Sequence, residues 1–279
     1  MTLCDKLIAE KIHTKFCRFL LFVNRKSTNA AVRAELGRRS VLTDLLCHSV
    51  KYWRNLCKLN PGSLAHKAYL ESYNLHRDFK EGWAHNIKHI CCHFKMSEVW
   101  HNQGTLGINK TIHVLQLRSN IYEQYDDNWR QYMARNDSKL RTYKQFKQEI
   151  YLENYLITLK NPKLRREFTK LRISAHKLNI ELGRYNTPRT PVENRKCSFC
   201  KSSVEDESHF ILDCPLYKTD RESLFKQLDL FTSFSSLPHA DKFIFIMSYN
   251  GGDTEILNLV LQFIDKAIQK REGFLESAQ

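Results

Sequence analysis

The chain has 279 residues, of which 42% are hydrophobic and 11% aromatic, enough to bury a core and to exclude wholesale disorder. Its formal charge is +14. The longest apolar run, residues 19–23, lies between Arg18 and Asn24 and is far short of a membrane span, so neither a transmembrane helix nor a signal peptide is expected.

In chain order the pattern is helical. Leu3, Ile8, Ile12, Phe16, Leu20 and Val23 mark a first amphipathic helix, Ser27 can cap a second, and residues 41–59 form a third that stops at Asn60-Pro61-Gly62. Residues 64–73 and 79–94 supply two more, followed by a glycine-containing loop over 100–107. Helices over 108–135 and 143–159 come next, and Asn161-Pro162 restarts a helix with proline in its first turn. Residues 186–194, with Pro188 and Pro191, read as a linker. Beyond it, 221–230 and 254–271 look helical, and 242–249 (KFIFIMSY) reads as a short strand or a buried turn. No internal repeat or long heptad pattern is present.

Cys197, Cys200, His209 and Cys214 form a C-x2-C-x8-H-x4-C pattern. The first pair can grip a tetrahedral ion from a tight turn, and the second pair, about one helical turn apart, can close the other side. Three thiolates and an imidazole favour Zn2+ over magnesium or calcium, and four protein ligands leave no open position, so the site reads as structural. Glu205, Asp206 and Glu207 are expected to be solvated. The expected fold is therefore mainly α: a helical domain over 1–160, a basic helix with a small zinc-stapled module over 161–230, and a helical tail over 231–279. Nine cysteines, odd in number and mostly scattered, point to a reducing, intracellular setting. His85, His89 and His93, at i, i+4 and i+8 with Cys92 beside them, could chelate a second metal, but the apolar face Trp83, Ile87, Ile90, Cys91 and Phe94 explains the same helix without one.

Charge is unevenly spread. Residues 197–279 carry 8 Lys+Arg against 13 Asp+Glu, and residues 1–196 carry 36 against 17, so a polyanion-binding surface belongs upstream of the cysteine cluster. The density peaks between 160 and 196, where Leu164, Phe168, Leu171, Ala175 and Leu178 recur at helical spacing and can pack while the basic side chains face outward. Lys163, Arg165, Arg166, Lys170, Arg172, Lys177, Arg184, Arg195 and Lys196 are the expected contacts to RNA or DNA. The bland alternative is a solvated basic face with no partner. Tyr185, Phe199, Phe210 and Tyr217 could stack on unpaired bases or pack a small core.

Catalytic patterns are absent from the sequence. Asp126-Asp127 mimics a metal-binding acid pair, but Ile121, Tyr125, Trp129 and Tyr132 place it on a helix face, where it cannot be presented on a hairpin. No nucleophilic triad signature or glycine-rich phosphate loop is evident.

Residues 171–225 contain Leu171-Arg172-Ile173, Ile180-Glu181-Leu182-Gly183-Arg184-Tyr185, Arg195 before the first cysteine, Glu205-Asp206-Glu207 before His209-Phe210, and Cys214-Pro215-Leu216-Tyr217 followed by Arg221. This combination resembles the C-terminal cysteine/histidine region of non-LTR (LINE-type) retrotransposon reverse transcriptases. Residues 28–38 and His48-Ser49-Val50-Lys51-Tyr52-Trp53 look like the segment that joins the polymerase domain to that region, so the resemblance covers most of residues 12–225. It implies a zinc-containing nucleic-acid-binding portion downstream of the polymerase, without its catalytic core, in the nucleus or a cytoplasmic ribonucleoprotein. Its partners would be RNA or DNA and the missing polymerase portion, with no membrane. Some members carry a nuclease after this region; here 65 residues follow Cys214, with no cluster of acids and a lysine suited to magnesium. A decayed or host-adopted interaction scaffold is the alternative.

Overall fold

A computed structural model describes residues 8–78, 82–103, 110–135, 139–249 and 253–277, the side chains of 110–113 excepted. The mainly-α expectation holds: among the described residues the only β pairings are two isolated bridges, Leu36 with Leu152 and Lys196 with Val204. The chain divides into two compact units, Met1–His13 with Arg39–Gln131 and Thr14–Arg38 with Tyr132–Gln279. It does not divide at 160 or 230; the basic helix, the cysteine cluster and the C-terminal helices belong to one unit.

Helix α1 (Ile8–Leu21) is amphipathic as expected, yet Glu10, Thr14, Cys17 and Leu21 are its buried positions, and Ile8, Ile12, Phe16 and Phe19 are exposed. Helix α2 (Asn29–Glu35) is preceded by Thr28 at its N-cap, one residue later than the expected Ser27.

In the first unit, α3 (Val41–Leu56) starts where the Ser40 side chain satisfies one of its free N–H groups. The Ser40 hydroxyl accepts from Leu42 N at 3.2 Å and donates to the buried Glu10 carboxylate at 2.7 Å, which also accepts from Val41 N at 2.9 Å. Helices α4 (Leu64–Arg77), α5 (Trp83–His93) and α6 (Ser97–His101) surround a core of Val50, Trp53, Ala84, Ile87 and Trp100, closed by Leu117 and Ile121 of α7 (Lys110–Ala134). Trp53 stacks on Trp100 at 5.3 Å and donates its ring N–H to the Tyr69 hydroxyl at 3.1 Å, so both ends of the ring are satisfied. Residues 97–101 are helical where a loop was expected from 100 onward; residues 104–107 of that loop, residues 79–81 and Leu3 lie outside the described part.

In the second unit, the helix expected over 143–159 is two short ones, α8 (Tyr143–Phe146) and α9 (Tyr155–Thr158). Between them the chain runs extended because its backbone pairs elsewhere: Leu152 bridges Leu36, and Glu153 N donates to Glu35 O at 3.0 Å. Gly37 permits that approach. It sits at φ +62°, and a Cβ there would fall 2.5 Å from Leu152 N. Helix α10 (Pro162–Arg172) begins at the expected proline, with the Asn161 side chain accepting from Lys163 N and Leu164 N at 3.0 and 3.3 Å. After α11 (Asn179–Leu182) come α12 (Lys218–Leu228), α13 (His239–Ser248) and α14 (Thr254–Ser277), and α14 packs against both α10 and α12. The strand or turn expected over 242–249 is helix, because Phe243, Ile246 and Met247 bury one face at i, i+3 and i+4.

Arg172 corrects the sequence reading. It is 1% exposed and lies between Glu35 and Glu153 at 3.1 and 3.0 Å, with its guanidinium also donating to Met247 O. Burial works against its charge, and the two carboxylates outweigh burial and raise its pKa. Burial also pushes Lys147 down and Glu153 up within the same cluster. Arg172→Ala should destabilise the protein by about 3–5 kcal/mol, since it strands two buried carboxylates. Urea unfolding measures this; a loss below about 1 kcal/mol would show that the cluster is not a structural centre.

Candidate metal centre and basic cleft

Both features belong to the second unit. The segment around Cys197 is a tight hairpin: Lys196 bridges Val204, Cys197 N donates to Ser203 O at 2.9 Å, and Lys201 N donates to Cys197 O at 3.0 Å, with Lys201 in the left-handed region at φ 56°. His209–Asp213 is a π turn, closed by Cys214 N donating to His209 O at 2.8 Å. In ordinary α geometry, five residues at about 100° each would place Cys214 roughly 140° around the helix from His209. The wider turn returns it to the same side.

One ligand atom from each of Cys197, Cys200, His209 and Cys214 lies within 4.8 Å of all the others, so the four expected residues form one group that can hold a metal ion. The Cys197 and Cys214 sulfurs are 3.8 Å apart, and the Cys200 sulfur is 3.4 Å from His209 Nε2. Asp206 Oδ1 accepts from His209 N at 2.8 Å and fixes the start of the turn. Burial pushes the Cys214 thiol up to about 12 and raises Cys197 too, whereas at Cys200 hydrogen bonds from Ser202 and the Ser203 N–H outweigh burial and lower it.

The acidic loop is not solvated as expected. Glu205 is 3% exposed and accepts a bidentate pair from Arg271 of α14 at 2.6 and 2.8 Å, together with Asn179 N at 2.8 Å. Glu207 is 0% exposed and is held by Ser174 Oγ at 2.8 Å, His176 Nε2 at 2.8 Å and Arg141. Leu178 N donates to His176 Nδ1, so Nε2 carries the proton given to Glu207. Against the burial penalty, His176 and Arg141 hold the Glu207 carboxyl down at about 2. Sequence reasoning missed these partners; a three-acid run between two ligand pairs carries no signal of its direction.

Beside this loop lies a cleft of about 470 Å³ between α10, α11 and α14. Four of the cations singled out in the sequence, Lys163, Arg166, Lys170 and Lys177, line it, joined by Lys26 and Lys139 from distant parts of the chain. Carboxylates enter too: Asp265 pairs Lys163 at 2.9 Å, and Glu167 pairs Arg166 and Lys170 at 3.0 and 2.9 Å. The other expected contacts sit elsewhere. Arg165 donates to Leu156 O and Leu159 O, closing the end of α9; Arg184 pairs Glu181; Lys196 is an exposed hairpin residue donating to Ser202 O. Arg195, like Arg172, is a correction: it is 2% exposed, donates to Ile180 O and Thr190 O, and packs where a Cβ on Gly183 would fall 2.7 Å from its side chain.

In the first unit, His85, His89 and His93 do not form one metal-holding group. The His85 and His89 rings lie 4.6 Å apart and His85 faces His76 at 3.1 Å, but His93 is turned to Gln124 at 3.1 Å. Asp126 and Asp127 lie on α7 and pair with Arg39 and Arg130. Among the described residues no helix is long and apolar enough to cross a membrane.

No family model, curated protein or solved structure matches the chain.

Two outcomes test the centre. Purified protein should carry one metal equivalent, reduced by Cys200→Ser with a fall in melting temperature; full metal content in that variant, read by native mass spectrometry, would remove Cys200 from the ligand set. Glu207→Gln should cost roughly 3 kcal/mol in the neutral range, from a carboxyl lowered from 4.5 to about 2 at about 1.4 kcal/mol per unit. Because the folded pKa is the lower one, this stabilisation is present above the ordinary glutamate range and fades as pH falls toward 2. Denaturant unfolding of both proteins at neutral and acid pH should therefore converge on acidification.

Proposed function

We propose that this chain is a zinc-stapled nucleic-acid-binding module, corresponding to the portion of a LINE-type reverse transcriptase downstream of its polymerase. The observation that carries the reading is the basic cleft bordered by residues of the Cys3His loop's own ion-pair network, His176 and Arg271. The donor set suits zinc. A tetrahedral ion with Zn–S of about 2.3 Å and Zn–N of about 2.0–2.1 Å has S–S and S–N edges near 3.8 and 3.5 Å, against 3.8 and 3.4 Å between the paired ligand atoms. When bound, zinc would supply a four-ligand crosslink of the hairpin to the π turn, with no position left for chemistry. The motif resemblance of residues 171–225 supports the retrotransposon assignment. The role is binding rather than catalysis, within the nucleus or a cytoplasmic ribonucleoprotein, with RNA or DNA and the upstream polymerase as partners.

A second reading, an interaction scaffold, draws on one observation. Ile8, Ile12, Phe16 and Phe19 form an exposed apolar stripe along α1.

Affinity for mixed-sequence RNA or DNA should fall with salt at a log–log slope of roughly −3 to −5, for about four to six neutralised phosphates. Replacing Lys163, Arg166, Lys170 and Lys177 with glutamine should flatten the slope and weaken binding to unrelated sequences alike, with folding preserved because none of the four is buried. Binding that ignores salt, or survives the quadruple change, would favour the scaffold. Primer extension with magnesium should give no product.

A further inference from the structure

We infer that the cleft's ligand is an unpaired strand of nucleic acid, with one base stacked on Tyr185 and the adjoining phosphate held by Lys26 and Lys139. This rests on the nucleic-acid reading above and narrows it. Four aromatics near the cysteine cluster are chemically able to stack, and the fold sorts them. Phe210 and Tyr217 are each 1% exposed and pack on one another at 4.9 Å, and Phe199 is engaged edge-on by Phe274 at 5.2 Å. Phe210 and Tyr185 both line the cleft, but Phe210 is buried, and of the two only Tyr185 keeps a large part of its surface, 46%, in solvent.

Its surroundings match a nucleotide. The Lys26 ammonium lies 3.6 Å from the ring centroid, and Lys139 Nζ lies 3.5 Å from the phenol oxygen while donating to Lys26 O at 3.2 Å. Two cations thus flank one ring. The carboxylate nearest them, Glu181, is already met by Arg141 and Arg184 at 3.0 and 3.1 Å as well as by Lys139 at 3.5 Å, so the local balance stays positive. An aromatic face beside ammonium groups is the arrangement that binds single strands without reading sequence, through stacking and phosphate contact together.

Size decides between strand forms. The cleft, about 470 Å³, falls in the range of roughly 300–1,000 Å³ that encloses one small organic ligand, so it takes a nucleotide or two. A duplex keeps its bases stacked and paired inside and could offer the cleft only phosphates. Tyr185 would then have nothing to stack on.

The test uses the full, metal-loaded chain and fluorescence anisotropy with a labelled mixed-sequence oligonucleotide of about 12 nucleotides, single-stranded and as the matched duplex. The single strand should bind at least about tenfold more tightly than the duplex. Tyr185→Ala should lose about tenfold on the single strand at unchanged salt slope, with no loss on the duplex, while Tyr185→Phe and Tyr185→Trp retain binding and Lys26→Gln reduces the slope by about one. Retention by the two aromatic variants shows that a loss in Tyr185→Ala is a loss of stacking and not of folding. Equal affinity for both forms, or wild-type binding by Tyr185→Ala, overturns the inference and leaves the nucleic-acid reading standing. A wild-type chain that binds neither form defeats both.

Discussion

Two carboxylates driven inward by one short loop set the terms for the second unit. Glu205 and Glu207 lie between Cys200 and His209, and both are buried. A buried carboxylate is costly unless it is met by opposite charge and hydrogen bonds, so each must find partners before the loop can settle. Those partners come from well-separated parts of the chain: Arg271 on α14, Asn179 on α11, Ser174 and His176 after α10, and Arg141 before α8. The loop therefore acts as a keystone through charge rather than apolar area. Metal ligands stand on both sides of it, which makes an ion held by the four residues a fastener for the carboxylates as well as for the thiols.

The cleft inherits its shape from this arrangement. His176 and Arg271 are at once partners of the loop and part of the cleft lining. Losing the loop's position would shift these two lining residues while leaving the ion pairs of Lys163, Arg166 and Lys170 in place.

A division of labour by residue type runs through the basic stretch. The buried cations here are mainly arginines, Arg172, Arg195 and Arg271, each donating to two or more acceptors through the fork geometry that suits guanidinium. The cations that line the cleft are mostly lysines, whose compact and strongly hydrated charge suits a wet surface. Lys147, buried against Glu153, is an exception within the Arg172 cluster.

Short-range chemistry was readable from the sequence alone. The Asn161-Pro162 start of α10, the amphipathic pattern of α7 with its acid pair on a helix, and the four metal-ligand candidates depend on spacings of a few residues, and local geometry honours such spacings. What spacing could not decide was where long-range partners intervene. The helical pattern of 143–159 yields to backbone pairing with residues 35–36, and the apolar stripe of α1 stays outside while Glu10 goes in to cap α3. Arg172 and Arg195 look like surface cations because their neighbours in sequence are basic, yet their partners are Glu35, Glu153 and backbone carbonyls of other segments. Lys26 and Lys139 joined the cleft with no sequence signal, more than 20 residues from the basic stretch that begins at Lys160. Side-chain type and periodicity set which elements a segment can form; which of them persist, and which charges face water, depend on where backbone partners and counter-charges arrive from, and only the folded chain brings those together.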